Sequence, residues 1–375
     1  MAKRSAIVIG AGIVGLATAR ALSGKGFCVK VFDRTQQAIG ASIRNFGMVW
    51  PIGQPSGKLY ERALRSRGIW EEISKSGAFW HEDAGSLHLA YHPDEWKVLQ
   101  ELYELFKAER PVELLTAPQI AARSEAVVQE NLLGGLFSAD ELIIDPREAM
   151  ASLPGYMQDI YGIEFYWGKC INYVSDNIVY VGNDEEYRAD IIIICSGSDF
   201  ETLYPEVYRE RPITKCKLQM MRLVKQPGEW RIGPALCGGL SLIHYKSFQA
   251  ASSLPVLKQR YETTMRDYME WGIHVMVSQN GRGELTIGDS HEYGLTHEPF
   301  DKEIINRLVM DYLFQFSRFK SNQLLESWNG VYAKLTDGSA HLFFSPEPGV
   351  YIINGLGGAG MTLSFGLAEE LVEGL

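Results

Sequence analysis

The chain has 375 residues, too many for one ordinary core, which predicts one large domain or two interleaved ones. Hydrophobic residues at 46% and charged residues at 22% give the balance of a globular protein with ample material to bury. A formal net charge of −10 without a Lys/Arg block argues against nucleic acid as a partner, and no apolar run reaches the length of a membrane span. Five cysteines, at 28, 170, 195, 216 and 237, form no CxxC pair, so neither a metal site nor a disulfide framework is expected. The first strand begins close to Met1, which leaves no room for a signal peptide and makes cytoplasmic the expected location.

Ala6-Ile7-Val8-Ile9 reads as a strand and runs directly into Gly10-Ala11-Gly12-Ile13-Val14-Gly15. Leu16 to Ser23 follow as a helix stopped by Gly24 and Gly26, and Val29 to Phe32 make a second strand that ends at Asp33. This is the strand–turn–helix–strand order of a dinucleotide-binding unit. Gly10 permits the tight turn, Gly12 lets the backbone approach a pyrophosphate, and Gly15 lets helix and strand pack closely. The helix N-terminus faces the phosphates, and Asp33 stands where an acid would accept the ribose hydroxyls.

A nicotinamide-binding fold would continue with another regular βα unit. Instead Gly40 to Pro51 is punctuated by glycine, small residues, an arginine, an asparagine and aromatics. That composition suits close passage along an extended cofactor, with Ser42 and Arg44 near phosphates and Asn45, Phe46, Gly47 and Met48 near a ring system. The alternative, given less weight, is a surface loop with a solvated arginine.

Leu59 to Ser76 and Pro93 to Ala108 read as helices, with the strand Gly85 to Ala90 between them. Pro118 opens a further short helix. Gly134 to Phe137 and Glu141 to Ile144 lead to Asp145-Pro146, an N-cap followed by proline in the first turn, and a helix to about Tyr161. Segments around Ile171 to Val174 and Ile178 to Val181 alternate like a small β-meander. Ile191 to Ile194 is a strand buried on both faces, and Ser196-Gly197 lies at its carboxyl end, where such sheets meet ligands. Cys195 beside it reads as a small buried apolar residue rather than a nucleophile.

From Pro212 to Ser327 the texture changes to antiparallel strands at Lys217 to Leu223, His274 to Val277 and Glu284 to Gly288, with helices over Lys258 to Gly272 and Asp301 to Arg318. The strand Gly349 to Asn354 then enters a second glycine turn, Gly355-Leu356-Gly357-Gly358-Ala359-Gly360, and a helix. Its second strand and acid would lie beyond Leu375, so this turn is not another dinucleotide unit. It offers a helix N-terminus to a ligand bound elsewhere, as the negative pyrimidine edge of a reduced flavin requires.

With those segments assembled, the chain resembles the D-amino-acid oxidase family of FAD-dependent oxidoreductases, which includes sarcosine and glycine oxidases. The likeness runs through IVIGAGIVGLATARAL with Asp33-Arg34, IIDPREAM, ADIIIICSG and GLGGAGMTLSFGLAEEL. It implies an α/β FAD-binding Rossmann-like domain with an interleaved α+β substrate domain on an antiparallel sheet. The expected division is 1–85, 141–211 and 328–375 for FAD, and 86–140 and 212–327 for substrate. GASIRNFGMVWPIGQPSG is similar to a segment of members proposed to oxidise aminophosphonates related to 2-aminoethylphosphonate.

The resemblance implies extended FAD held by Gly10, Gly12, Ile13, Val14, Gly15, Asp33, Arg34, Ala41, Ser42, Arg44, Asn45, Phe46, Gly47, Met48, Cys170, Ser196 and Gly197. From the late segments it adds Gly330, Gly355, Gly357, Gly358, Ala359, Gly360, Met361 and Thr362. Some sarcosine oxidases attach flavin through a cysteine where this chain has Gly330, so non-covalent FAD is expected. Where those enzymes carry a lysine that helps oxygen react, this chain has Thr362, which leaves oxygen or another electron acceptor open. Tyr332 and Trp328 fall where the family lines its substrate cavity, and His291, His244, Tyr245 and Arg44 are further candidates to meet a small anionic amine. His291 and His244 read equally as solvated loop histidines. No catalytic residue is assigned, since hydride transfer to flavin N5 and hydrolysis of the imine need no dedicated acid or base. The other readings are a 2-hydroxy-acid dehydrogenase and a non-catalytic FAD-binding subunit.

Overall fold

The computed structural model describes residues 4–182 and 185–375. Its first sheet has six strands in the order Leu342–Glu347, Val350–Asn354, Ile191–Ile194, Ser5–Ile9, Cys28–Asp33 and Glu164–Trp167. All neighbours run parallel except the outermost pair, Leu342–Glu347 with Val350–Asn354. The strand alternation explains what covers each face. Ala6, Val8, Val31, Ile191 and Ile193 pack under the helices Ile13–Gly24, Pro146–Tyr161 and Gly360–Val372. Ile7, Ile9, Phe32, Ile192 and Ile194 pack under the three-stranded meander Ile171–Ser175, Ile178–Val181 and Glu185–Arg188. A sheet buried on both sides needs apolar residues at consecutive positions, which is why four isoleucines stand in a row.

The helix ends follow their expected chemistry. Asp145 accepts from the backbone of Arg147 (2.9 Å) and Glu148 (3.3 Å), and Gly162 in the left-handed region closes the same helix.

The second sheet has nine strands. Ile213–Leu223 is paired along its length with Leu324–Leu335 on one edge and with Leu285–Gly288 and Glu292–Gly294 on the other. The sheet continues through Met276–Gln279, Ala235–Cys237, Ser86–Ala90, Gly134–Ser138 and Val112–Leu115. It is antiparallel except for Ala235–Cys237 beside Ser86–Ala90, two strands too distant in sequence for a hairpin to set their direction. The boundary expected at 328 falls inside Leu324–Leu335; the others fall between elements.

Two local expectations need correction. The helix read over Lys258 to Gly272 is two helices, Leu254–Thr264 and Arg266–Glu270, broken at Met265. The hydroxyls of Thr263 and Thr264 bond back to the carbonyls of Gln259 (2.9 Å) and Arg260 (2.8 Å), a pattern that bends helices. The strand placed at His274 to Val277 spans Met276–Gln279, which leaves His274 at its mouth. Among the described residues no helix is long and apolar enough to cross a membrane.

Candidate functional site

One cavity of about 950 Å³ runs between the two sheets. That lies near the top of the range for ligand pockets, roughly 300–1,000 Å³. At one end lies the first glycine turn. Gly10, at φ +103°, leaves no space for a side chain: a Cβ there would sit 2.3 Å from the Cys195 carbonyl oxygen, and one at Gly15 would sit 1.8 Å from that of Gly10. The helix Ile13–Gly24 starts at Gly12 with no capping side chain and no acid in its first turn, so its positive end stays open to an anion. Ser42 reaches it, accepting from the Ile13 N–H at 3.0 Å. Asp33 is fixed by donors from Ala11 N (2.8 Å), Thr35 N (2.9 Å) and Thr35 Oγ1 (2.7 Å), and its carboxylate retains lone pairs for a diol. Arg34 pairs with Asp199 at 2.6 Å beside Cys170, Ser196 and Gly197.

The middle of the cavity is bounded by the glycine-punctuated segment. Asn45 ties it down, donating to the carbonyls of Ala41 and Ser42 (3.0 Å each) and accepting from Gly47 N at 2.8 Å. Arg44 donates to the Asn329 carbonyl at 2.9 Å, with its Cβ against Gly330. The second glycine turn, Gly355 to Gly360, lines the same cavity as Arg44 and Phe46 and starts the helix Gly360–Val372, whose first turn carries no acid. Trp70 holds this helix start by donating to the Met361 carbonyl at 2.8 Å. The Thr362 hydroxyl accepts from Trp50 N at 2.9 Å.

These features fit an extended dinucleotide: two open helix starts, a backbone cradle that side chains would fill, and an acid at the far end. Such a group would be held by the turn at Gly10 to Val14, Asp33, Ser42, Arg44 and the turn at Gly355 to Thr362.

The other end is lined by side chains. His244, His274, His291, Asp289, Tyr245, Tyr293, Tyr332 and Lys334 all face the cavity. His291 Nδ1 lies 2.9 Å from the Gly272 carbonyl, and Lys334 donates to the Tyr293 hydroxyl at 2.8 Å. Burial, reinforced by the neighbouring histidines, holds His244 well below the usual imidazole range. Burial also lowers His291, although Asp289 works against it. For Asp289 burial opposes the charge, but His274 and His291 prevail and keep the carboxyl below its ordinary value. Burial pushes the Cys195 thiol up to about 12, in keeping with an inert packing role.

Most of the expected site residues therefore line one cavity, and three do not. Gly15 and Gly47 stand behind it as close-approach points; a Cβ at Gly47 would meet the Ile144 carbonyl oxygen at 1.9 Å. Trp328 lies outside the lining, its ring under the guanidinium groups of Arg147 (4.8 Å) and Arg222 (5.6 Å). The strand carries both Trp328 and Tyr332 on the same face, but only Tyr332 reaches the opening. His274, Asp289, Tyr293 and Lys334 were not singled out from the sequence. Each sits at or near a strand end where alternation stops, which was the one signal available.

Comparison with known proteins gives the same assignment. A D-amino acid dehydrogenase of Helicobacter pylori is 24% identical over 258 residues, covering 52% of this chain and 60% of that protein, so the match spans less than two thirds of the relative. Glycine oxidase from Geobacillus kaustophilus superposes with a TM-score of 0.77 at 17% identity, over 100% of this chain and 95% of that one. L-proline dehydrogenase from P. horikoshii gives 0.78 at 19% identity, over 99% and 92%. The family model described as DAO, FAD dependent oxidoreductase, matches residues 5–374, and the chain belongs to that family of FAD-dependent oxidoreductases.

Proposed function

We propose that this oxidoreductase oxidises the C–N bond of a small amine with an anionic end, an amino acid, N-methyl amino acid or aminophosphonate. Bound FAD supplies the hydride acceptor at N5, and the resulting imine is hydrolysed by water. The observation that carries this reading is one continuous cavity with a backbone-built dinucleotide cradle at one end and a donor-rich, side-chain-built chamber at the other.

In this reading Gly10 to Val14, Ser42 and Arg44 hold the pyrophosphate, and Asp33 the ribose. The turn from Gly355 to Thr362 meets the pyrimidine edge of the flavin. Gly330 offers no sulfur, so FAD is held without a covalent bond. The six-stranded sheet with its helices serves FAD and the nine-stranded sheet serves the substrate. Tyr332, Tyr245, His244, His291 and Lys334 surround the substrate, with Asp289 as the carboxylate available to an amine. Burial favours the neutral form of His244 and His291, which keeps imidazolium charge away from the amine.

The neighbours named for glycine and L-proline and the relative named for D-amino acids favour an amine, while a neighbour named for L-alpha-glycerophosphate keeps oxidation of a hydroxyl as the alternative. The test is an anaerobic absorbance titration of the FAD-loaded protein with sarcosine, glycine, D-amino acids, 2-aminoethylphosphonate and its N-methyl form. Bleaching of the flavin band by one of them, with release of ammonia or methylamine, is the expected result. A protein bleached only by 2-hydroxy acids would overturn the reading. Re-oxidation by air or by an added quinone then distinguishes oxygen from another acceptor.

A further inference from the structure

We infer that His244, His274, His291 and Asp289 form a binding site for one divalent transition-metal ion of the zinc class in the wall of the cavity. The donor atoms of the three histidines lie within 4.8 Å of one another. Two imidazoles on one tetrahedral ion, with metal–nitrogen distances of ~2.1 Å, have ring centres roughly 5 Å apart and donor atoms roughly 3.4 Å apart. Here the His274–His291 ring centres are 5.1 Å apart and the His244–His291 centres 4.8 Å. Asp289 completes the set, with Oδ1 at 2.9 Å from His274 Nε2 and Oδ2 at 3.8 Å from His291 Nε2.

Asp289 Oδ1 is buried, with His274 Nε2 as its close neighbour at 2.9 Å. His291 is oriented from behind: Nδ1 gives its proton to the Gly272 carbonyl at 2.9 Å, which leaves the Nε2 lone pair facing Asp289. A second hydrogen bond of this kind is how ligating histidines are usually fixed. His244 and His274 are closer, at 3.8 Å between centres, and His244 is open to the cavity.

Three imidazoles and a carboxylate suit Zn²⁺, Co²⁺, Fe²⁺ or Mn²⁺ and not the oxygen-seeking Ca²⁺ or Mg²⁺. Burial keeps His244 and His291 neutral, the form that ligates. Lys334, a cation lining the same cavity, is engaged with the Tyr293 hydroxyl. An ion held here turns positive charge toward the cavity, the counterpart that an anionic substrate end requires.

The test uses the full-length FAD-loaded protein, stripped with chelator, dialysed and titrated with Co²⁺. One equivalent should bind per chain, with ligand-field absorbance to the red of the flavin band that Zn²⁺ displaces. His244→Ala, at a residue that opens only onto the cavity, should weaken Co²⁺ binding at least about tenfold, as should His291→Gln. Flavin content and circular dichroism confirm that each variant is folded. Absence of a ligand-field band in the wild type, or Co²⁺ affinity unchanged in both variants, overturns the inference. Neither readout uses substrate, so the outcome is independent of which amine is oxidised.

Discussion

The two ends of the cavity are built by opposite means. The dinucleotide end is made of backbone: Gly10, Gly12, Gly355 and Gly357 bare their peptide groups, and two helix starts supply the charge. The chamber end is made of buried titratable side chains brought together from the segments holding His244, His274, Asp289, His291, Tyr332 and Lys334. Backbone donors carry fixed partial charges and cost nothing to keep at any pH. Buried imidazoles and carboxylates must be held in one protonation state against desolvation, and their charge changes with conditions. At the first end Gly10 and Gly15 tolerate no added atom; the second end tolerates shape changes but not changes of charge.

The sharpest way to break this contrast is Gly15→Ala. Its methyl would lie 1.8 Å from the Gly10 carbonyl oxygen, where only backbone could yield. The expected cost is above ~4 kcal/mol, enough to remove the folded flavoprotein. The ratio of flavin to protein absorbance in the purified variant reads this directly. A yellow, stable Gly15→Ala protein would mean that the turn is far softer than its geometry.

The same contrast decides what was readable from sequence. A backbone cradle announces itself, because only glycine fits and its spacing is local: Gly10 to Asp33 is one strand–helix–strand unit. The four isoleucines likewise declared a strand covered on both faces. The chamber is written in residues whose meaning depends on strand ends far apart. His274 stood in a segment read simply as a strand, and its meeting with Asp289 follows from the turn between two antiparallel neighbours. Trp328 shows the converse failure. The family resemblance put it beside Tyr332 but could not say that the cavity stops short of it. The break at Met265 was equally hidden, since threonine back-bonding is invisible to apolar periodicity.

Glu141 isolates the energetic side of the chamber's construction without touching the cavity. Fully buried, it accepts from Ile52 N and Ser86 Oγ (2.9 Å each), yet burial raises its carboxyl from 4.5 to about 7. Because the folded value exceeds the unfolded one, its stabilising contribution is full below pH 4.5 and is lost as pH rises to about 7. The difference of about 2.5 units corresponds to ~3 kcal/mol at most. Glu141→Gln should therefore raise the Tm relative to wild type at pH 8 and give little gain at pH 4.5. Equal gains at both pH values would show that the charge is not the cause.

Asp33→Asn is the expected exception at the backbone end, where one side-chain charge matters. Asparagine keeps a single acceptor oxygen for three protein donors and a ribose. The loss of charged hydrogen bonds should cost about 2 kcal/mol, or roughly 30-fold in Kd for FAD, measured by flavin fluorescence on dilution. Turnover at saturating FAD should stay near wild type, since Asp33 lies at the end of the cavity remote from the chamber.

Trp328→Phe gives the smallest effect and the cleanest boundary to the chamber. Its indole is packed beneath Arg147 and Arg222 and does not line the cavity. Phenylalanine keeps the apolar body and weakens the cation–π contact, a stability loss of roughly 0.5–1 kcal/mol. KM and kcat for the amine should remain within about twofold, because no group that meets substrate has moved. Tyr332→Phe, four residues further along the same face of the strand, removes a hydroxyl that does face the cavity, and should raise KM while leaving Tm close to wild type. If Trp328→Phe instead shifted KM and Tyr332→Phe did not, the chamber would extend along the strand toward Arg147. The division between a packed strand and an open chamber would then have to be redrawn at Gly330.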